Sequence, residues 1–430
     1  MKLRNKLFPV LTALALTALM LVFASCGTLT GALTGTTTAS AASSDQGAAA
    51  SASSSSDQTA SDFITDAFSK RDLSGEYDTD DAVMIKLNGD SAEANSSSVT
   101  VEGSVVTITE AGTYILSGTL DDGCIVVNAS DEDKVQLVLN GVEISSETFA
   151  AIYVASADKV FITLAEGTEN SLSNGGSFVL IDDNKVDAVI FSKDDLTLNG
   201  EGSLTVTSPA GHGIVCKDDL VITGGTYVIT AGKHGIEAND SLAVSDGNVT
   251  IKAGKDGIHV ENDDDPTLGN IYFEDGSFDI TCGDDGIHAN TLLVISGGTF
   301  RITAAEGIEA TCITVNDGDI TISASDDGIN AARKSSSYTP AVVINGGSIT
   351  ISMGQGDTDA VDSNGNIIMN GGTVTVTGNS SFDYDGTAEF NGGTIIVNGQ
   401  QLDYIPNQFM GGGMGGMQGG MQGGRGGGRR

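Results

Sequence analysis

Between Gly232 and Ala324 one phrase is written four times, as KHGIEAND, KDGIHVEN, DDGIHANT and AEGIEATC. The marker glycines of this phrase and its relatives are Gly213, Gly235, Gly257, Gly286, Gly307 and Gly328, spaced 22, 22, 29, 21 and 21 residues apart. The long interval holds an inserted loop, Asp263 to Asn270. A unit of about 22 residues cannot bury its own apolar face and has to stack on copies of itself, so the period predicts a solenoid.

Each unit repeats its apolar positions. The residue after the marker is Ile214, Ile236, Ile258, Ile287, Ile308 and Ile329. A second ladder precedes a second glycine turn (Ile222, Val244, Phe273, Ile295, Val315, Ile344, Met369, Phe390), and two more follow that turn at alternate positions, one through Tyr227, Val249, Phe278, Phe300 and Ile320, the other through Ile229, Ile251, Ile280, Ile302 and Ile322. Spacing by two is strand periodicity, and glycine at the corners is expected to supply the positive φ of tight bends. A propeller blade needs roughly 40 residues, so the shorter period selects an all-β, single-stranded parallel β-helix. Helices are excluded between Asp78 and Gly399, where every apolar i, i+3, i+4, i+7 pattern is interrupted by glycine or β-branched runs.

The chain divides by composition. Residues 1–25 carry Lys2, Arg4 and Lys6, an apolar run from Leu7 to Phe23 and then small residues, and read as a lipoprotein signal peptide with Cys26 as the lipidated residue. Residues 26–61 form a tether of Ser, Thr, Ala and Gly. Residues 62–406 are the folded body, in which Val83 to Thr119 alternates as strands that cap its first edge. Residues 407–430 are a Gly/Met-rich basic tail without core positions. These readings place the protein outside the cell, lipid-anchored to a bacterial membrane and displayed on the surface as a monomer.

The chain has 57 acidic and 20 basic residues, which excludes nucleic acid as a partner, because phosphate binding needs a basic surface. Such an excess of acid either keeps an exported protein soluble or holds cations. Cys124, Cys216, Cys282 and Cys312 have no paired spacing and read as single thiols. There is no Trp, which leaves flat stacking on neutral sugars poorly supplied.

The candidate site is the corner around the marker glycine. Glu237, Glu309 and Asn330 stand two places after it and Glu261 four places after. Asp256, Asp284, Asp285, Glu306, Asp326, Asp327, Asp359 and Asp362 stand close to it. Repeats stacked about 4.8 Å apart would turn these into columns of hard oxygen ligands, the donor type that favours Ca²⁺. Asp and Asn also suit turns in their own right, so single positions carry less weight than the column. His212, His234, His259 and His288 fall in the same columns; without supporting cysteines they argue weakly for zinc. Gly211-His212-Gly213 is similar to the G-H-G of polygalacturonase-type hydrolases, but only Asp187 lies one repeat upstream, so the carboxylate pair of glycoside hydrolysis has no place. A lyase acting on uronate polymers would draw its base from Arg301, Lys233 or Lys255. A structural surface spacer or adhesin is the other alternative.

The run Thr113-Tyr114-Ile115-Leu116-Ser117-Gly118-Thr119-Leu120, the segment Val138-Leu139-Asn140-Gly141-Val142, the stretch Ile162-Thr163-Leu164-Ala165-Glu166-Gly167-Thr168-Glu169-Asn170, the segment Ser192-Lys193-Asp194-Asp195-Leu196 and the D-G-I corners resemble the polysaccharide-lyase-like carbohydrate-binding domain family of bacterial surface proteins. The resemblance runs from about Ile85 to Gly399. It implies a right-handed winding, calcium ions on the corners and binding to polysaccharide such as cellulose or polygalacturonate, with no catalytic residue to carry over.

Overall fold

The computed structural model describes residues 63–181, 184–354 and 358–407. The signal segment, Cys26, the tether and nearly all of the tail lie outside the described residues. What is described is all-β apart from a single helical turn at residues 63–66. Among the described residues, no helix is long and apolar enough to cross a membrane.

Each full unit supplies three strands. In one unit these are Asp285–Ala289, Leu292–Ile295 and Thr299–Ala304, and in the next Glu306–Ala310, Cys312–Val315 and Asp319–Ala324. The first strand of each unit joins a 13-stranded sheet and the other two a 23-stranded sheet. Pairing between units is parallel, and it sets each ladder residue beside its counterpart one interval on: Ile258 with Ile287, Phe273 with Ile295, Phe278 with Phe300, Ile280 with Ile302. Antiparallel pairing occurs at the start (Ile85 with Ala94, Val101 with Val106), at the end (Ile395 with Leu402) and in the short Leu180–Ile181/Asn184–Lys185 hairpin. The first strands of both sheets are therefore closed by hairpins, while at the far end of the described residues only Thr394–Val397 is, and Phe382–Tyr384 and Ala388–Phe390 have a parallel neighbour on one side alone.

The core is the set of ladders itself. Ile214, Ile236, Ile258, Ile287, Ile308 and Ile329 are wholly buried, each such side chain contributing about 1.5–3 kcal/mol of transfer free energy. Phe278 and Phe300 stack with centroids 4.9 Å apart, and Phe273 meets both edge-on at 4.9 and 5.1 Å.

The two sets of glycines turn out to serve different needs. Those of the second turn have the expected positive φ, 142° at Gly247, 123° at Gly276 and 118° at Gly318. The marker glycines do not. At Gly286 a Cβ would lie 2.3 Å from Ile302 Cγ2 and 2.5 Å from the Gly307 carbonyl oxygen, and Gly257 and Gly307 are confined in the same way. They are glycine because the neighbouring unit and the interior isoleucine leave no room for a side chain.

Two features hold the outside together. Residues 69–76 run along the larger sheet as a strap pinned by Asp72, which is 2 % exposed. Its Oδ1 accepts from Thr197 Oγ1 at 2.6 Å and pairs with Lys159 at 3.0 Å, while its carbonyl accepts from Thr223 Oγ1 at 2.5 Å. Arg71 beside it lies 4.4 Å over the Phe161 ring. On the opposite sequence half, an exposed asparagine column links successive turns: Asn345 Nδ2 donates to Asn316 Oδ1 (2.8 Å), Asn370 to Asn345 (2.8 Å) and Asn391 to Asn370 (2.9 Å).

Candidate functional site

The first strand of each unit has the form X-Gly-Ile-Y-Ala. Isoleucine and alanine fill the interior, and X and Y flank a shared stretch of the outer face. Stacking turns X into the column His212, His234, Asp256, Asp285, Glu306, Asp327, Asp359, in which each backbone carbonyl from His234 to Asp285 and again at Asp327 and Asp359 accepts the marker N–H of the preceding unit. Y becomes Val215, Glu237, His259, His288, Glu309, Asn330, Asp362, Asp383.

Read across the pair, the units change character. Three in succession carry one imidazole and one carboxylate: His234 with Glu237, Asp256 with His259, Asp285 with His288. From Glu306 onward the units carry two acids or an acid and an amide: Glu306 with Glu309, Asp327 with Asn330, Asp359 with Asp362.

In the first half the charges match. The four imidazoles form one pile, with successive centroids 5.1, 4.5 and 4.7 Å apart. The His212 Nδ1 lies 3.0 Å from Glu237, which also takes Lys217 at 2.8 Å. Burial alone would raise Glu237, yet His212 and Lys217 hold its carboxyl well below the usual range. Asp256 Oδ2 meets the Nδ1 atoms of both His234 (3.1 Å) and His259 (2.7 Å), and against its burial these depress it in the same way. His259 Nε2 reaches Glu261 Oε2 at 3.1 Å. His288 Nδ1 lies 3.0 Å from Asp285 and 2.9 Å from Glu309; burial opposes its protonation, but the two carboxylates push it up to about 9.

In the second half they do not match. Lys334, brought in by the inserted loop Arg333 to Thr339, pairs with Glu309 at 2.8 Å. That loop is fixed against the earlier insertion, where Ser335 Oγ donates to the Pro266 carbonyl. Beyond it the acids crowd one another. Burial and the charges of Glu309, Asp285 and Asp327 push Glu306 up to about 7 although Asn330 hydrogen-bonds to it. Burial with Asp326, Asp359 and Glu309 raises Asp327 to about 6, and burial with Asp327, Asp359 and Asp383 raises Asp362 to about 7. Asn330 Nδ2 donates to Glu306 (3.0 Å) and Glu309 (3.4 Å), while its buried Oδ1 has no hydrogen-bond partner.

The sequence-derived candidates therefore fall into three groups. Glu237, Asp256, Glu261, Asp285 and Glu309 contact imidazoles. Glu306, Asp327, Asn330, Asp359 and Asp362 form the crowded end. Asp284 and Asp326 are exposed beside the columns. The crowded end fits a hard divalent cation, since its donors are mutually repelling carboxylates together with the Asn330 amide oxygen, which accepts from no N–H or O–H. Sequence reasoning passed over a second acidic cluster, Asp195, Asp218 and Asp219, where burial and mutual repulsion raise Asp195 and Asp218 to about 6. The signal was present in the Asp-Asp pairs at 194–195 and 218–219.

Three comparisons bear on this geometry. The model of the carbohydrate-binding domain-containing protein family matches residues 102–386. A carbohydrate-binding domain-containing protein of Acetivibrio thermocellus is 41% identical over 148 residues, 34% of this chain and 50% of the relative. The chain thus spans about half the length of that relative. A solved structure, a polysaccharide lyase-like protein from C. thermocellum determined as a gadolinium derivative, aligns with 28% identity and a TM-score of 0.45 over 74% of this chain and 95% of its own. With a family model covering well over half of its length, from within the Val101/Val106 hairpin to the last acidic units of the double column, the chain belongs to the carbohydrate-binding domain-containing protein family.

Proposed function

We propose that the protein is a right-handed parallel β-helix that binds acidic polysaccharide at the cell surface without turning it over, through calcium held at the crowded end of the double column. The parallel pairing of like residues in successive units supports the stacked coils, and the right hand is what the family resemblance implies. The observation that carries the function is the loss of charge matching after His288, together with the buried Asn330 Oδ1 that lacks a donor. Glu306, Asp327, Asn330, Asp359 and Asp362 would hold the ion. It would supply positive charge to a wall that otherwise repels uronate, sharing its coordination between these side chains and a carboxylate of the polymer. Lipidation at Cys26 would keep the domain at the membrane surface.

Affinity electrophoresis in gels containing polygalacturonate or a soluble neutral glucan, with calcium or with chelator, tests the reading. Retardation by polygalacturonate in calcium, lost in chelator, is expected, with weaker, calcium-independent retardation by the glucan. Retardation by polygalacturonate that survives chelation would overturn the bridging role. Release of unsaturated uronide would make the protein a lyase instead.

A further inference from the structure

The imidazole end of the column has an arrangement that charge matching alone does not explain. His234 and His259 both turn Nδ1 toward one oxygen, Asp256 Oδ2, at 3.1 and 2.7 Å, and Asp256 is 4 % exposed. The other nitrogen of His259 faces Glu261 Oε2 at 3.1 Å, and a carboxylate there fixes the proton on Nε2. The remaining Nδ1 faces a carboxylate oxygen at 2.7 Å, a contact that either a second ring proton or a bound cation has to bridge. His234 adds a second such nitrogen. It is 9 % exposed, and its Nδ1 is buried without an aligned hydrogen bond although Asp256 is within 3.1 Å. A hydrogen bond wants the proton on the N···O line, whereas a metal ion wants three lone pairs converging at a point off those lines.

We propose that His234 Nδ1, Asp256 Oδ2 and His259 Nδ1 form a binding site for a borderline divalent cation of the zinc type, with Glu261 positioning His259 from behind. The three donor atoms lie within 4.8 Å of one another. A tetrahedral zinc with bonds of about 2.0–2.1 Å needs donor–donor edges of roughly 3.4 Å, so 3.1 Å is already near that length and 2.7 Å opens to it with a small rotation of the His259 ring. Two imidazoles and one carboxylate are a donor set that hard calcium does not favour, and they leave the fourth position to water. The neighbouring group Asp285, His288 and Glu309 is less suited. It offers one imidazole, and Lys334 already occupies Glu309 at 2.8 Å. The site is independent of the calcium reading and stands or falls without it.

The full-length protein, with excess calcium to fill hard-oxygen sites, is equilibrated with Zn²⁺, dialysed and analysed for retained metal; Co²⁺ replaces zinc for absorption spectroscopy. One tightly held zinc per chain and an intense tetrahedral cobalt spectrum are expected. His234→Gln and His259→Gln should each abolish retention, Glu261→Gln should weaken it by about tenfold, the low end for a residue that orients a metal ligand, and Glu166→Gln, on an exposed turn, should leave it unchanged. The proposal is overturned if the wild type retains no zinc in excess calcium, if bound cobalt gives only the weak octahedral spectrum, or if His234→Gln retains zinc as the wild type does. Should the histidine variants fail to fold, the imidazole ¹⁵N shifts of the wild-type protein with and without zinc decide: unchanged His234 and His259 signals mean that protons, not a metal, bridge to Asp256.

Discussion

Replacing Asp362 by Asn should stabilise the calcium-free protein at alkaline pH and destabilise it once calcium is present. In the folded chain burial and the charges of Asp327, Asp359 and Asp383 raise Asp362 to about 7, against a reference of 3.8. A folded-state value above the unfolded one means that the native state holds the proton more tightly, so native stability is intact below about pH 4 and falls as pH climbs through the folded value near 7. At 1.36 kcal/mol per unit the penalty would approach about 4 kcal/mol for a dry site. Asp362 is only partly buried, and solvent screening cuts this to about 1–2 kcal/mol. Asn keeps the shape and removes the charge. Thermal melts in chelator should therefore show the variant about 1–3 °C above wild type at pH 8 and level with it at pH 4. In saturating calcium at pH 8 the order should reverse, because a ligand has been lost. A variant that is no more stable than wild type in chelator at pH 8, or equally favoured at pH 4, would refute the crowding argument, and a missing reversal would remove Asp362 from the ligand set.

Other perturbations follow from the packing. Gly286→Ala should cost about 1–3 kcal/mol in denaturant unfolding, since the new methyl meets Ile302 and the Gly307 carbonyl with nowhere to move; an unchanged midpoint would show that the units can part at that level. Asp72→Ala should cost about 1–3 kcal/mol by leaving the buried Thr197 hydroxyl without its acceptor and Lys159 with only Asp195, 3.9 Å away. Limited proteolysis should then cut near Arg71 far sooner than in wild type, and equal rates would mean that the strap is held elsewhere. Cys26→Ala should release the protein from membranes in fractionation, whereas unaltered association would place the anchor at another residue.

The ladders were legible because strand periodicity and unit length act together: once Gly235 and Gly257 set the interval, Ile236 and Ile258 could only face inward beside each other. The reason for the marker glycines was not legible, since sequence cannot distinguish a glycine needed for positive φ, as at Gly276, from one needed because Ile302 fills the space, as at Gly286. The acids of the site were found one column at a time. Reading X and Y together, as H-G-I-E, D-G-I-H, E-G-I-E and D-G-I-N, would have shown where imidazoles balance the carboxylates and where they stop. The strap was out of reach, because Asp72 finds Thr197 and Thr223 across 125 and 151 residues of chain with no motif to announce them.

The asparagine column has a bearing on how the protein ages. Asn345, Asn370 and Asn391 are each followed by glycine, the pairing most prone to lose its amide when the following backbone nitrogen attacks the side-chain carbon. That attack requires the side chain to swing freely. Here each amide nitrogen is tied to the oxygen of the asparagine beneath it, so the chemistry waits on local opening. The first amide to be hydrolysed would exchange a donor for a charge, cut its link and loosen its neighbours, and damage would then spread along the column from the earliest lesion rather than strike its members at random.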